Sequence, residues 1–190
     1  MQYHYFAMLS RMKNIYRWGL MRNTRPENLS EHSLEVAIIA HALCVITNKR
    51  LGGNIDANKV GVAAMFHDTS EIITGDMPTP IKYYNPEIRN IYKDIESVAQ
   101  QKLLDMLPDD LKEDYERLYN LTDEEKTIVK AADKISAYIK CIEETESGNK
   151  EFLKALNSTK KAIDDINLKA ADIFLKEFIP SFRLPLDSQN

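Results

Sequence analysis

The spacing of apolar residues predicts helices along nearly the whole chain. Apolar side chains recur every three or four residues in most segments, which is the period of a helix with one apolar face. No pair of alternating apolar runs flanks an Asn-Gly or Asp-Gly turn, so the pattern contains no hairpin signal. We therefore predict an all-α protein, with about six to eight helices in a single compact domain over residues 1–180 and a polar tail over 181–190.

Capping residues and helix breakers mark where the predicted helices begin and end. Asn, Asp, Ser and Thr are favoured just before a helix, and Pro is favoured at its first position. The predicted starts are Tyr3, Ser30, Asp56, Asn85-Pro86 and Thr122, the last with a capping box completed by Glu125. The predicted ends lie at Asn14, Gly52-Gly53, about Ile73, Pro108, Gly148 and just before Pro180.

Three of these helices carry apolar residues at helical spacing. The stripe of the second helix consists of Leu34, Ile38, His41 and Val45. The stripe after Pro86 consists of Ile88, Ile91, Ile95, Val98 and Met106. The stripe after Thr122, which we expect to be buried, consists of Ile128, Ala132, Ile135, Ile139 and Ile142. The segment from Thr74 to Pro80 has too many breakers to be helical, and it is predicted to form an ordered or mobile loop.

Composition excludes several classes of partner. A net charge of -4 and a pI near 5.6 argue against a surface for nucleic-acid polymers, whose binding requires many Lys and Arg residues. The longest mostly apolar stretch, Val36 to Ile46, is interrupted by His41 and is too short to cross a bilayer, so we expect no membrane partner. The N-terminus lacks the features of a secretory signal, which favours the cytoplasm. Cys44 and Cys141 are isolated and are predicted to be reduced core residues.

An adjacent histidine and aspartate provide the first candidate chemistry. His67 and Asp68 follow a helical run, and imidazole combined with carboxylate suits Mn, Co, Ni, Fe or Zn. An isolated His-Asp pair is a weak signal. It becomes stronger because His32 lies at the start of one predicted helix and Asp133 lies within another, so that three helices could converge on one ion.

Asp133 and Glu71 each have two interpretations. Asp133 lies among apolar positions, and its carboxylate requires either a metal ion or a salt bridge to Lys130 or Lys134.

Glu71 follows His67 by four residues and Asp68 by three, so a continued helix would place it on their side. It could then accept the proton of a water molecule activated by the ion. The alternative is an ordinary solvent-facing Glu at a helix end.

The order His32, His67-Asp68, Asp133 resembles the H...HD...D signature of the HD-domain phosphohydrolases. The resemblance extends to about Pro180 and is specifically to the bacterial 5′-deoxynucleotidases of that family. The strings that carry it are Arg17-Trp18, Ser30-Glu31-His32-Ser33-Leu34, Phe66-His67-Asp68-Thr69-Ser70-Glu71 and Thr74-Gly75-Asp76-Met77-Pro78-Thr79-Pro80.

This resemblance implies an HD-type domain that works as a homodimer in nucleotide metabolism. The implied activity is metal-dependent hydrolysis of deoxyribonucleoside 5′-monophosphates to a deoxyribonucleoside and phosphate, with a metal-activated water as nucleophile. The implied cofactor is one divalent ion, Co or Mn, or else Cu, Ni, Fe or Zn. Its implied ligands are His32, His67, Asp68 and Asp133. The implied catalytic residues are Arg17, Glu71 and Asp76. The implied substrate-binding residues are Arg17, Trp18, His32, Asp68, Asp76, Met77, Pro78, Thr79 and Asp133.

The implied roles follow from side-chain chemistry, and each has an alternative. Arg17 would orient the phosphate through its forked donors, although Arg11, Arg22 and Arg25 compete for that role. Trp18 would lie against the sugar and disfavour a ribose 2′-hydroxyl, whereas a lone Trp is often a core anchor. Asp76 could donate a proton to the leaving oxygen, or could serve only in a tight turn.

Two other functions stay open at this level. One is another HD-type nucleotide phosphohydrolase or phosphodiesterase, acting on a triphosphate, a cyclic nucleotide or a phosphonate. The other is a non-catalytic nucleotide-sensing module in which the metal only holds helices together. His41 faces the opposite side of its helix from His32 and is not expected to bind the same ion.

Overall fold

The computed structural model describes residues 2–78, 81 and 84–189, and within these ranges it contains no β-strand. The α-helices of the described residues are α1 Tyr5–Leu9, α2 Leu29–Arg50, α3 Ala57–Met65, α4 Glu71–Thr74, α5 Pro86–Leu104, α6 Asp109–Glu116, α7 Asp123–Glu146, α8 Leu153–Asp164 and α9 Lys169–Glu177. Short 3-10 helices follow α1 at Ser10–Asn14 and precede α8 at Lys150–Phe152. The prediction of an all-α protein is confirmed.

Three of the predicted helix caps are present. The side chains of Asp56 and Asn85 accept hydrogen bonds from the backbone N–H groups three residues on, at 3.0 and 2.8 Å. Thr122 and Glu125 form the reciprocal capping box, since each side chain accepts from the other's backbone N–H. Each cap satisfies donors that have no partner within the helix, which is why these helices begin where the sequence predicts.

Two predicted boundaries are wrong. The cap of α2 is Asn28 rather than Ser30, because the Asn28 side chain accepts from the N–H groups of Ser30 and Glu31 at 3.0 and 3.1 Å. The third helix stops at Met65 rather than near Ile73 and is followed by a series of turns. The chain continues into the one-turn helix α4 only at Glu71.

The chain divides into two compact units, each with its own apolar core. The first comprises Met1–Arg22, Pro26–Ser33 and Phe66–Asn120, and the second comprises Asn23–Arg25, Leu34–Met65 and Leu121–Asn190. Tyr5, Leu103, Leu104 and Leu107 form the core of the first unit. The assignment of residues 1–180 to a single domain, with a tail over 181–190, stays a prediction.

Helix α7 supplies the centre of the second core. All of its predicted stripe residues are buried: Ile128, Ala132, Ile135, Ile139 and Ile142. They pack with apolar residues of α2, α3 and α9. Cys44 and Cys141 are free thiols buried in this unit, which confirms that prediction.

Most residues of the other two apolar stripes are exposed, although Ile88 and Met106 are half-buried. On α2, Leu34, Ile38 and Val45 are 55%, 62% and 39% exposed, while Val36, Ala40 and Leu43 are among the residues that form the buried face. On α5, Ile91, Ile95 and Val98 are exposed, and the buried face consists of Tyr92, Ala99, Leu103 and Leu104. The helical spacing of these apolar residues alone would have placed both stripes in the core.

Helix α2 is also longer than the apolar stretch seen in the sequence. Its 22 residues and a mean hydropathy of 1.5 over its most apolar window would allow it to cross a membrane on length and composition. However, 56% of that window is buried inside the protein, as is usual for a core helix, so the membrane indication is weak.

A buried ion pair anchors residues 23–25 to α7 within the second unit. Lys140 donates to Glu144, and the side chains are 4% and 1% exposed. The Glu144 carboxylate also accepts from the backbone N–H of Thr24 at 2.9 Å and from its hydroxyl at 2.8 Å. The Asn149 side-chain amide adds a further hydrogen bond at 2.8 Å.

Candidate metal centre

Three predicted metal ligands lie together in the first unit. His32 occupies the first turn of α2 and is fully buried, while His67 and Asp68 lie in the turn between α3 and α4. The turn is fixed by Thr69, whose hydroxyl contacts the Phe66 carbonyl oxygen at 2.9 Å and the Tyr119 hydroxyl at 2.8 Å. The Glu71 N–H closes the turn by donating to the Asp68 carbonyl oxygen at 3.0 Å.

The geometry of this cluster fits one small cation. One ligand atom from each of His32, His67 and Asp68 lies within 4.8 Å of the others. Asp68 Oδ2 is 3.0 Å from His67 Nε2 and 3.7 Å from His32 Nε2, and the two imidazole rings are tilted at a centroid distance of 5.4 Å. Two imidazoles and a carboxylate that converge in this way are a donor set that binds borderline divalent metals.

Glu71 is buried beside this turn as the first residue of α4. Its side chain is 4% exposed, so it is not the ordinary solvent-facing helix-end Glu. The helix that was predicted to continue from His67 to Glu71 is interrupted by turns. The Glu71 N–H donates to the Asp68 carbonyl oxygen, so Glu71 follows Asp68 by one tight turn. A carboxylate removed from bulk water next to a candidate cation centre suits acid–base chemistry.

Arg17 lies beside the cluster of His32, His67 and Asp68. Its Nη1 lies 3.6 Å from Asp68 Oδ2, and its Nε donates to Glu27 Oε2 at 3.0 Å. Its competitors from the sequence, Arg11, Arg22 and Arg25, are exposed. Of these arginines, Arg17 is the one whose position beside Asp68 is described.

Trp18 is not a core anchor. It is half-buried, and its indole Nε1 donates to the same Glu27 Oε2 at 2.9 Å. Glu27 was not predicted as a site residue. The available signal was weak but real, because Glu27 is the single carboxylate in a segment that otherwise carries Arg17, Arg22 and Arg25.

The segment after α4 is non-helical, as predicted. Gly75 has a φ of 74°, a left-handed conformation that favours glycine, and it turns the chain away from α4. Asp76, Met77 and Pro78 follow in extended or irregular backbone and are half-buried. Thr79, the other predicted substrate-binding residue of this loop, lies outside the described residues.

The fourth predicted ligand, Asp133, belongs to the second unit. It lies on α7, where Lys134 Nζ donates to its Oδ2 at 2.9 Å. The salt bridge that the sequence left open is therefore present, and a metal-binding role for Asp133 stays a prediction. His41 and His4 are exposed and lie outside the cluster of three ligands.

The helical fold is known from solved structures. The chain resembles the crystal structure of an HD-domain phosphohydrolase from Listeria innocua, with a TM-score of 0.81 and 26% identity. The alignment covers 94% of this chain and 88% of the other. The predicted HD-type fold is confirmed.

A narrower assignment comes from the sequence comparisons. The family model for YfbR-like 5′-deoxynucleotidases matches residues 4–182, and the chain belongs to this family. A 5′-deoxynucleotidase of Photorhabdus laumondii is 51% identical, with 97% of this chain and 95% of the relative covered. The 5′-deoxynucleotidase YfbR of Escherichia coli is 50% identical, with coverage of 98% and 95%. The resemblance that the motifs indicated is confirmed.

Proposed function

We propose that this protein is a metal-dependent 5′-deoxynucleotidase that hydrolyses deoxyribonucleoside 5′-monophosphates to a deoxyribonucleoside and phosphate. The observation that carries the proposal is the cluster of His32, His67 and Asp68 with Arg17 beside it, in a chain that belongs to the YfbR-like family. Relatives at 50% and 51% identity over nearly their whole length are 5′-deoxynucleotidases. The proposal includes one HD-type domain over residues 1–180.

The proposed ligands of one divalent cation are His32, His67, Asp68 and Asp133. Co or Mn is the first choice, and Cu, Ni, Fe and Zn are compatible with the same donors. When bound, such an ion would neutralise phosphoryl charge and acidify a water molecule. For Asp133 the proposal requires that its carboxylate exchange the Lys134 ammonium for the cation.

The chain's own residues provide the remaining chemistry. Arg17 holds the phosphate through parallel N–H donors and keeps the phosphorus in line with the attacking water. Glu71 accepts a proton from that water as the new P–O bond forms. The P–O bond to the sugar then breaks, and Asp76 or a water molecule protonates the 5′-oxygen that leaves.

Substrate selection is assigned to Trp18 and to the loop of Asp76, Met77, Pro78 and Thr79. A bulky indole placed against C2′ would exclude a ribose hydroxyl, which is discrimination by steric clash. The proline in the loop reduces the conformational entropy that is lost when the loop closes around a ligand.

Phosphate release from dAMP, AMP, dATP and cyclic AMP, each with Mn or Co, tests the activity. We expect release from dAMP, little from the other three, and loss of turnover in Glu71→Gln. A protein that leaves every deoxynucleoside monophosphate intact contradicts the proposal. Turnover of dATP or cyclic AMP instead would identify a different HD-type phosphohydrolase.

Paired variants on α7 test the fourth ligand. Asp133→Asn is expected to weaken Mn binding measured by calorimetry, whereas Lys134→Ala is expected to leave it equal or stronger, because the competing cation is gone. Equal Mn affinity in wild type and Asp133→Asn would show that Asp133 only forms the salt bridge.

We also propose that the protein is a cytoplasmic homodimer, with the exposed stripe of α2 at its interface. Leu34, Ile38 and Val45 are exposed on α2, and Val62 and Met65 of α3 in the same unit are also 43% and 44% exposed. Several exposed large apolar residues on one helix are what an interaction site would present. An antiparallel pairing of two α2 helices would place Leu34 opposite Val45 and Ile38 opposite His41, so the stripe complements itself about a two-fold axis.

Light scattering after gel filtration tests the dimer. Wild type is expected at twice the chain mass, and Ile38→Glu is expected at the chain mass because it would bury a charge in the interface. Ile95→Glu, on the exposed stripe of α5, is the matched control and is expected to stay dimeric. If Ile95→Glu were monomeric and Ile38→Glu dimeric, the interface would lie on α5 instead. A monomeric wild type would refute the proposed dimer.

A further inference from the structure

One carboxylate oxygen accepts hydrogen bonds from two of the residues that are proposed to bind the substrate. Glu27 Oε2 accepts from Arg17 Nε at 3.0 Å and from the indole Nε1 of Trp18 at 2.9 Å. The side chains of Arg17 and Glu27 are both 12% exposed, so these bonds are largely protected from water. A hydrogen bond to an ionised acceptor in such surroundings is stronger than one between neutral groups.

The backbone reinforces the same arrangement. The Arg17 N–H donates to the Glu27 carbonyl oxygen at 3.0 Å, and the Leu29 N–H donates to the Ile15 carbonyl oxygen at 2.9 Å. Between them, Tyr16 and Asn28 form an isolated antiparallel bridge. Glu27 is thus fixed across from Arg17 by main-chain bonds, and its side chain does not depend on a flexible loop for its position.

Trp18 has a backbone conformation that needs such support. Its φ is 60°, in the left-handed region that residues other than Gly, Asn and Asp rarely adopt. Bulky residues persist there when surrounding contacts over-determine them. The indole bond to Glu27 and the Met21 N–H bond to the Trp18 carbonyl oxygen at 2.8 Å are contacts of this kind.

We propose that Glu27 is a positioning residue, which orients the Arg17 guanidinium toward the phosphate and the Trp18 ring toward the sugar. Arg17 is held at two points, by Glu27 at Nε and near Asp68 at Nη1, so its fork has a fixed direction beside the metal cluster. Glu27 therefore links phosphate orientation to sugar discrimination. This inference rests on the proposed function, since it takes the substrate roles of Arg17 and Trp18 from it.

The first test needs no turnover. Trp18 is the single tryptophan of the chain, so intrinsic fluorescence reports on this indole alone. In Glu27→Ala we expect a shifted emission maximum and greater quenching by acrylamide, while Glu27→Gln, which keeps an acceptor oxygen, stays near wild type. Emission and quenching unchanged in Glu27→Ala would overturn the proposal, even if the protein proved to have another activity.

The second test separates positioning from general stability. Glu27→Ala is expected to lower kcat/KM for dAMP by about 10- to 100-fold and to reduce the preference for dAMP over AMP, with a smaller loss in Glu27→Gln. In an Arg17→Ala background the further loss of kcat/KM is expected to be under about twofold, because Glu27 acts on the phosphate through Arg17. Mn affinity measured by calorimetry is expected to stay unchanged.

Glu31→Ala is the matched control from the same segment. Glu31 is exposed. The hydrogen bond described for its carboxylate is a long one, from the Asn28 N–H at 3.3 Å. We expect wild-type kcat/KM, sugar preference and Trp18 emission in this variant. A full and equal loss of kcat/KM from Glu27→Ala in both the wild-type and the Arg17→Ala background would overturn the proposal. A wild type without deoxynucleotidase activity would instead refute the proposed function and leave the fluorescence test valid.

Discussion

Replacing Glu144 by glutamine is expected to destabilise the second unit more than any surface charge change. The carboxylate is 1% exposed and accepts from Lys140, Thr24 and Asn149. Glutamine keeps the shape, but it removes the charge that pairs with Lys140 and turns an N–H group toward donors. The Lys140 ammonium would then be left buried without its counter-charge, which is the costly way to break an ion pair.

Two estimates of the magnitude agree. Burial alone would raise the pKa of Glu144, but the hydrogen bonds from Lys140 and the Thr24 backbone outweigh it and lower the pKa from 4.5 to about 2. At about 1.4 kcal/mol per pKa unit, this difference corresponds to roughly 3 kcal/mol in favour of the folded protein. Removing one partner of a buried ion pair costs about 3–5 kcal/mol in other proteins.

The pH dependence has a definite sign. A carboxyl whose pKa is lowered by folding stabilises the folded state above its unfolded pKa and loses that contribution as the pH falls. The Glu144 contribution is therefore complete above about pH 5 and declines toward pH 2. Urea unfolding followed by circular dichroism, with a chelator present, is expected to give a midpoint lower by about 1–2 M in Glu144→Gln at pH 7. The difference from wild type is expected to shrink as the pH is lowered.

Glu146→Gln is the control on the same helix. Glu146 pairs with Arg183, and the two side chains are 48% and 41% exposed, so the expected change is under about 1 kcal/mol. Equal midpoints for Glu144→Gln and Glu146→Gln at pH 7 would refute the reasoning. A difference from wild type that does not shrink on acidification would show that packing, rather than the carboxylate charge, explains the loss.

Three further predictions concern the site and the core. Saturating Mn is expected to raise the melting temperature of the wild type, by the equivalent of about 3 kcal/mol at a hundredfold excess over Kd, and to have a much smaller effect on Asp68→Asn, as scanning calorimetry can measure. Trp18→Ala is expected to bring the rates of phosphate release from dAMP and AMP closer together, and an unchanged ratio would remove Trp18 from sugar selection. Burial raises the pKa of the Cys44 thiol to about 11, so an aromatic disulfide reagent at pH 8 is expected to react with it only after unfolding.

The sequence predicted the helices whose apolar residues occupy one face and whose ends carry strong caps. Helix α7 is the clearest case, because its capping box fixes the start and all five residues of its predicted stripe are buried. Helix α2 has apolar side chains around most of its circumference, so the period could not identify the buried face. On α5, the buried residues are Tyr92, Ala99, Leu103 and Leu104, whereas the more regularly spaced Ile91, Ile95 and Val98 are exposed, so the same criterion selected the wrong face.

The site was predictable where its residues are close in sequence or carry a distinctive chemistry. His67 and Asp68 are adjacent, and a buried His32 at the start of a helix adds the third donor. Glu27 was not predicted because it lies in an irregular loop, nine residues from Trp18 and ten from Arg17. Helical or strand spacing cannot relate residues across such a loop. The interruption of the helix before Glu71 was not predicted for a related reason, since the contact of the Thr69 hydroxyl with the Tyr119 hydroxyl joins residues that are 50 apart in the sequence.

The left-handed backbone at Trp18 places thermal stability and sugar selectivity in opposition. Glycine adopts a φ of 60° without steric penalty, so a search for more heat-resistant variants would favour glycine at this position. That change would also delete the ring that is proposed to tell deoxyribose from ribose. Variants selected for heat resistance alone would therefore be expected to drift toward accepting both sugars, whereas selection for deoxynucleotides would keep the strained tryptophan in place.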